Sequence, residues 1–130
     1  VTHSRNKGTR GERAAAAYLT SIGFPCKRMG RNGYSDADLK GLEECLPNVH
    51  VEVKFGVQGL DMHTSSLRAA WEQAAAQVMS MGVMADHEVA TVLWKPTRRP
   101  WRLTYMGTHG LEHVTGDDCI AGKLRELNGR

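Results

Sequence analysis

"VHVEVKF", Val49 to Phe55, alternates in two registers at once. Val49, Val51 and Val53 fall on one side of a strand, and His50, Glu52 and Lys54 on the other, as the two-residue side-chain period requires. One face suits a core. The other sets an acid and an amine side by side, which a buried surface does not tolerate unless the two are paired or bind something. A structural salt bridge is the simplest account of Glu-x-Lys on a strand, so the surroundings must decide.

The whole chain has 130 residues and 41% hydrophobic residues, enough for one domain with a real core. No internal repeat, low-complexity tract or Pro/Ser-rich linker divides it, so residues 1–130 read as a single domain. No stretch approaches the length of a membrane span, and the basic N-terminus lacks the apolar segment of a secretory signal. The first residue is Val1, not Met, which suggests processing or trimming. Cys26, Cys45 and Cys119 are an odd set, far apart, without a C-x-x-C pair. They argue against a disulfide scaffold or zinc knuckle and for free thiols in a reducing cytoplasm. The formal net charge is only +3, yet the cations cluster: Arg5, Lys7, Arg10 and Arg13; Lys27, Arg28 and Arg31; Lys95, Arg98, Arg99 and Arg102. Such clusters suit either a solvated surface or a phosphate chain.

The flanking sequence predicts a helix over Thr9–Ile22, opened by a capping box at Thr9 and Glu12 and closed by Gly23. Phe24–Met29 reads as a strand, residues 30–33 as a turn, and Ala37–Leu42 as a short strand joined through Pro47 to Val49–Phe55 in a hairpin. A loop over residues 56–64 leads to a second helix, capped by Ser65 or Ser66 and ending at Met81 and Gly82. Its apolar stripe is Leu67, Ala70, Trp71, Ala74, Val78 and Met81. Val89–Trp94 is a strand, "KPTRRP" a turn, and Trp101–Met106 the returning strand. A small helix with Ile120, Leu124 and Leu127 inward closes the chain. This order predicts an α/β fold with a central mixed β-sheet flanked by helices.

The predicted hairpin brings Asp38 beside Glu52. Two carboxylates that close repel unless a cation sits between them, and a hard divalent ion such as Mg²⁺ suits oxygen ligands. A bound metal acidifies water and polarises a phosphoryl oxygen. Lys54 then stands where it can orient the attacking water or steady charge on a phosphate. Glu12 lies on the stripe of Ala15 and Leu19, which faces the sheet, and a water-bridged contact to the same metal gives an inward acid a purpose; a local capping role is the alternative. Gln73, amid alanines on the second helix, is a plain helix former or an amide that hydrogen-bonds the phosphate or the water.

Asp38 followed by Glu52-Val53-Lys54 resembles the D…E-x-K motif of the PD-(D/E)XK nuclease superfamily. "KGTRGER" with "SIGF" behind it is similar to the first helix of archaeal-type Holliday junction resolvases and their phage-encoded relatives, and "VATVLWKPTRRPWRLTYM" resembles the closing hairpin of the phage branch. The likeness runs over about residues 7–106; residues 107–130 have no clear counterpart. It implies a restriction-endonuclease-like core and a Mg²⁺-dependent endodeoxyribonuclease, with Mn²⁺ able to substitute. In that pattern Glu12, Asp38, Glu52, Lys54 and Gln73 are catalytic. Asp38, Glu52 and the Val53 carbonyl hold the metal, with Glu12 joining through water. Arg28 and Ser35 match the basic residue and serine before the acid, and Arg10, Arg13, Arg28, Arg31 and Ser35 face DNA. The resemblance also implies a homodimer making paired symmetric cuts in a four-way junction, whose twofold symmetry invites a twofold protein. Ala37 stands where a proline often precedes the acid, and Asp36 rivals Asp38, since both share a face.

The alternatives are a nicking, flap or restriction-type nuclease of the same fold, and a non-catalytic DNA-binding module. "HGLEH", His109–His113, formally matches a zinc-protease pattern, but Gly107 and Gly110 weaken the helix it needs. No P-loop is present, so no nucleotide cofactor is implied. His50 reads as a flank of the site or a solvated residue, Trp71 as core, and Trp101 beside Arg102 as the surface aromatic.

Overall fold

The computed structural model describes residues 2–28, 39–55, 65–80 and 89–129. Helix α1 runs Thr2–Ser21 and starts well before Thr9, so Thr9 and Glu12 are interior and the expected capping box does not form. Its C-terminus follows the sequence closely. Gly23 takes φ 105°, the Phe24 N–H donates to the Leu19 carbonyl at 2.8 Å, and the Gly23 N–H donates to Thr20 at 3.2 Å. This is the paired-bond stop that a left-handed glycine permits, sealed by the burial of Phe24 and Leu19 in one core.

After α1 come β1 (Lys27–Arg28) and β2 (Leu39–Lys40), paired antiparallel as Lys27↔Lys40 and Arg28↔Leu39. A one-turn helix α2 (Leu42–Cys45) separates β2 from β3 (Val49–Phe55). The hairpin expected between Ala37–Leu42 and β3 is therefore absent: β2 pairs with β1, and the chain turns helical at Leu42. Helix α3 (Ser65–Ser80) follows, then β4 (Val89–Lys95), β5 (Arg102–Gly107), β6 (Gly110–Thr115) and α4 (Asp117–Asn128). β3 pairs parallel with β4, from Val49↔Val89 to Phe55↔Lys95, and β4, β5 and β6 continue antiparallel. The result is a mixed sheet in the order β3-β4-β5-β6, flanked by helices.

The two faces of β3 are divided as its sequence alternates. Val49 and Val51 pack with Ala15, Leu19, Leu93, Leu103, Ile120 and Leu124 under α1 and α4. On the opposite face Ala90, Val92 and Trp94 meet Leu67, Ala70, Ala74 and Val78 of α3, where the sequence placed that helix's stripe; Met81 lies outside the described residues. Trp71 is half-buried and donates its indole N–H to the Ala90 carbonyl at 3.1 Å. Trp101, expected at the surface, is buried instead, because its ring stacks on Tyr18 at 5.5 Å and meets Phe55 at 5.9 Å.

The C-terminal stretch without a counterpart in the sequence comparison belongs to this core. β6 extends the sheet, "HGLEH" lies on the β5–β6 hairpin rather than a helix, and Ile120, Leu124 and Leu127 are fully buried. Asp117 and Asp118 suit the positive end of α4, and Asp117 accepts a hydrogen bond from the Tyr18 hydroxyl at 2.9 Å. At its other end Asn128 clamps the approach to β3. Its side-chain oxygen accepts from the Asn48 N–H, and its carbonyl from the Asn48 amide, both at 2.9 Å. Among the described residues no helix is long and apolar enough to cross a membrane, and the three cysteines are free thiols.

Gly11 sets how closely α1 approaches β3: a Cβ there would stand 2.5 Å from the Phe55 Cβ. Helix propensity alone favours Gly11→Ala by about 1 kcal/mol. The clash is with a rigid atom, so we expect the variant to be less stable than the parent by about 1–2 kcal/mol in urea denaturation. A gain would show that α1 does not rest on Phe55. Burial, with Cys45 as the next contribution, pushes the Cys26 thiol up from 9.0 to about 11. Its protonated form is thus favoured by folding, so this stabilisation is complete below pH 9 and is lost as pH rises toward 11. Denaturation midpoints of Cys26→Ser should fall less steeply across that window than those of the parent.

Candidate active site

Parallel pairing sets His50, Glu52 and Lys54 on the sheet face that α3 covers, opposite Ala90, Val92 and Trp94 in register. Glu52 is 6% exposed and His50 7%, while the Lys54 side chain, nearer the end of the strand, keeps 30% of its surface open. The row grades from sealed to accessible over five residues. The Lys54 Nζ stands 3.9 Å from the Glu52 Oε1 and donates to the Gln73 Oε1 at 3.3 Å. His50 reaches the other side of the carboxylate, with its Nε2 3.8 Å from the Glu52 Oε2. That Oε2 atom is buried and has no hydrogen-bond partner among the described residues. An ionised oxygen in this position loses its hydration without a donor in return, which is costly.

The expected site residues fall into two groups. Glu52, Lys54 and Gln73 come together between β3 and α3, and Gln73 is the amide that holds the lysine. Glu12 pairs instead with Arg28, at 3.0 Å between the Arg28 Nε and the Glu12 Oε2, on α1, which packs on the opposite face of β3. Both pair members are half-buried. Arg10 and Arg13 are exposed on α1. Arg31, Ser35, Asp36 and Asp38 lie outside the described residues. Val53 is half-buried in the strand between Glu52 and Lys54.

His50 gains more weight than its sequence position suggested, for it is buried against the carboxylate rather than solvated. Its spacing of two from Glu52 was the available signal. Its backbone is also tied in: the Thr91 hydroxyl donates to the His50 carbonyl at 2.8 Å.

Among the described residues no three His, Cys, Asp or Glu side chains are gathered closely enough to hold a metal ion. Glu52 nevertheless suits one position of a hard-cation site, since its free oxygen is a buried anionic acceptor without a donor. A second acid from the stretch before β2 would be needed to complete it.

No family model matches the chain, and no curated protein matches it. A solved structure does. Hjc of Archaeoglobus fulgidus, a Holliday junction resolvase from an archaeal hyperthermophile, is 22% identical and aligns over 89% of this chain and 98% of its own, with a TM-score of 0.50. The likeness is one of fold. The mixed sheet flanked by helices is thus a restriction-endonuclease-like core, and the match extends over most of the chain, including part of the C-terminal stretch that sequence motifs did not reach.

The orphaned oxygen makes a stability prediction. Without metal, Glu52→Gln removes a buried charge while keeping its shape, and should raise stability by about 1 kcal/mol in urea denaturation with chelator present. A loss of that size would mean that the carboxylate is already satisfied.

Proposed function

We propose that this chain is a metal-dependent DNA endonuclease that resolves four-way junctions, acting as a homodimer with paired symmetric cuts. One observation carries the reading: a buried carboxylate with an unsatisfied oxygen sits beside a lysine that an amide holds in place. A solvated strand face needs none of this, and a purely structural salt bridge would leave neither the orphaned Oε2 nor the separate anchoring of Lys54. The fold shared with a resolvase supports the same reading.

In the proposed site Asp38, Glu52 and the Val53 carbonyl hold Mg²⁺, or Mn²⁺ in its place. Bound there, the cation supplies polarisation of a phosphoryl oxygen and acidification of water. Lys54 orients the water for in-line attack on the phosphodiester, in which the new P–O bond forms as the bond to the leaving oxygen breaks. Gln73 fixes the lysine's position. His50 walls off the inner side of Glu52 and excludes water from it. Glu12 acts through water at the edge of the sheet, which β3 forms, while Arg28 steadies it. Arg10, Arg13, Arg28, Arg31 and Ser35 hold the DNA backbone.

The test is cleavage of a labelled four-way junction against linear duplex of the same sequence, with Mg²⁺. The parent should cut the junction preferentially, and Lys54→Ala and Asp38→Asn should each lower the rate by about a hundredfold or more, with metal-free DNA binding retained. Undiminished cutting by both variants would end the mechanism. Equal cutting of duplex and junction would end the junction assignment, and binding without any metal-dependent cutting would leave a DNA-binding module.

A further inference from the structure

We propose that the β4–β5 turn, Lys95 to Arg99, is a phosphate grip that holds a DNA backbone beside the candidate active site. For its partner the proposal rests on the DNA reading above. Three cations, Lys95, Arg98 and Arg99, fall within five residues, and no Asp or Glu occurs anywhere from Val89 to Leu111. Arg98 and Arg99 are exposed, and among the described residues neither side chain has a carboxylate or hydrogen-bond partner. The segment itself provides no acid to share their charge.

Position comes from the parallel ladder. Lys54 pairs with Trp94 and Phe55 with Lys95, so the turn leaves the sheet at the end where Lys54 is accessible. The Lys95 ammonium lies 5.8 Å from the centre of the Phe55 ring, and Gly11 of α1 abuts the same side chain. Gly11 of α1, whose neighbours Arg10 and Arg13 are exposed, and Lys95 of the turn therefore meet one side chain at the end of β3 that carries Lys54, on the sheet face opposite Lys54.

Backbone geometry adds an independent reason. The Arg99 N–H donates to the Pro96 carbonyl at 3.1 Å, closing a four-residue turn, and Arg98 at its third position has φ 64°. Turns of this form favour Gly or Asn there, because a side chain is strained at positive φ. Arg98 is the one described non-glycine residue in this conformation. A long cation where glycine fits better is a choice against local stability, and it projects charge from the tip of a turn bracketed by Pro96 and Pro100. The proline rings limit the turn's freedom before DNA arrives, so less order is lost on binding.

The experiment measures binding of a fluorescent four-way junction and of plain duplex in chelator, across 50–200 mM salt. Each lost phosphate contact lowers the slope of log K against log salt by about 1. Arg98→Ala/Arg99→Ala should flatten the slope by about 2 and weaken binding roughly tenfold or more near 100 mM salt. Arg98→Lys/Arg99→Lys should restore the slope. Arg98→Gly should flatten it by about 1 while raising the melting temperature, which a merely structural residue would not do. Unchanged slope and affinity in the double alanine variant overturn the proposal, as does a lower melting temperature for Arg98→Gly. The readout needs no cleavage. Loss of binding in the variants of a parent that never cuts keeps the grip and removes the nuclease reading; a parent that cuts, with variants that bind as well as it does, removes the grip alone.

Discussion

β3 and β4 run parallel, and a parallel pair cannot be closed by a tight turn. The chain must cross over the sheet between Phe55 and Val89, and α3 lies in that crossover. The helix covers the face that carries His50, Glu52 and Lys54, makes the first two of them buried, and sets Gln73 against the lysine ammonium. Had β3 closed with an antiparallel partner through a short loop, its polar row would have faced solvent and nothing would distinguish Glu52 from any surface acid. The chemistry open to the strand follows from its pairing.

The parts legible in sequence were those governed by local periodicity. The alternation of Val49–Phe55, the stripe of α3, the glycine stop of α1 and the inward residues of α4 all follow from spacing within one element. Glu52, Lys54 and Gln73 could be named because two lie on one strand face and the third breaks an alanine run. What failed depended on contacts far apart in the chain. The segment from Ala37 to Phe55 has the look of a hairpin, yet Leu42–Cys45 turns helical and β2 pairs with β1. The placement of Asp38 beside Glu52 rested on that hairpin, so the fold removes this support for the pair. Trp101 looked exposed beside Arg102, but Tyr18, 83 positions earlier, buries it. Thr9 and Glu12 had the form of a capping box; the helix extends seven residues further back, to Thr2, and no local signal marked that start.

Phe55 ties these observations together. It ends the polar-faced strand, receives the close approach of α1 at Gly11, stands near the Trp101 ring, and lies beneath the Lys95 ammonium. Helix, strand and turn thereby share one anchor. Displacing it would move the exposed arginines of α1 and the β4–β5 turn relative to Lys54 together, so the geometry of the site and of its basic surroundings form one mechanical unit.

Two features of the molecule run against local stability, one on β3 and one in the turn that follows its partner strand β4. Glu52 buries a carboxylate oxygen without a donor among the described residues, and Arg98 occupies a conformation that suits glycine. Several other buried polar groups are answered: Thr91 donates to the His50 carbonyl, the Trp94 indole to the Thr104 hydroxyl, and the Trp71 indole to the Ala90 carbonyl. A sequence whose levels otherwise agree has little reason to keep two unfavourable choices unless something outside the folded chain offsets them. The two are of opposite electrical sense. A buried anionic oxygen calls for a cation, and an exposed, strained guanidinium calls for an anion. A divalent metal with a phosphodiester strand would supply both charges at once, as the proposed nuclease reading requires and a module that only binds does not.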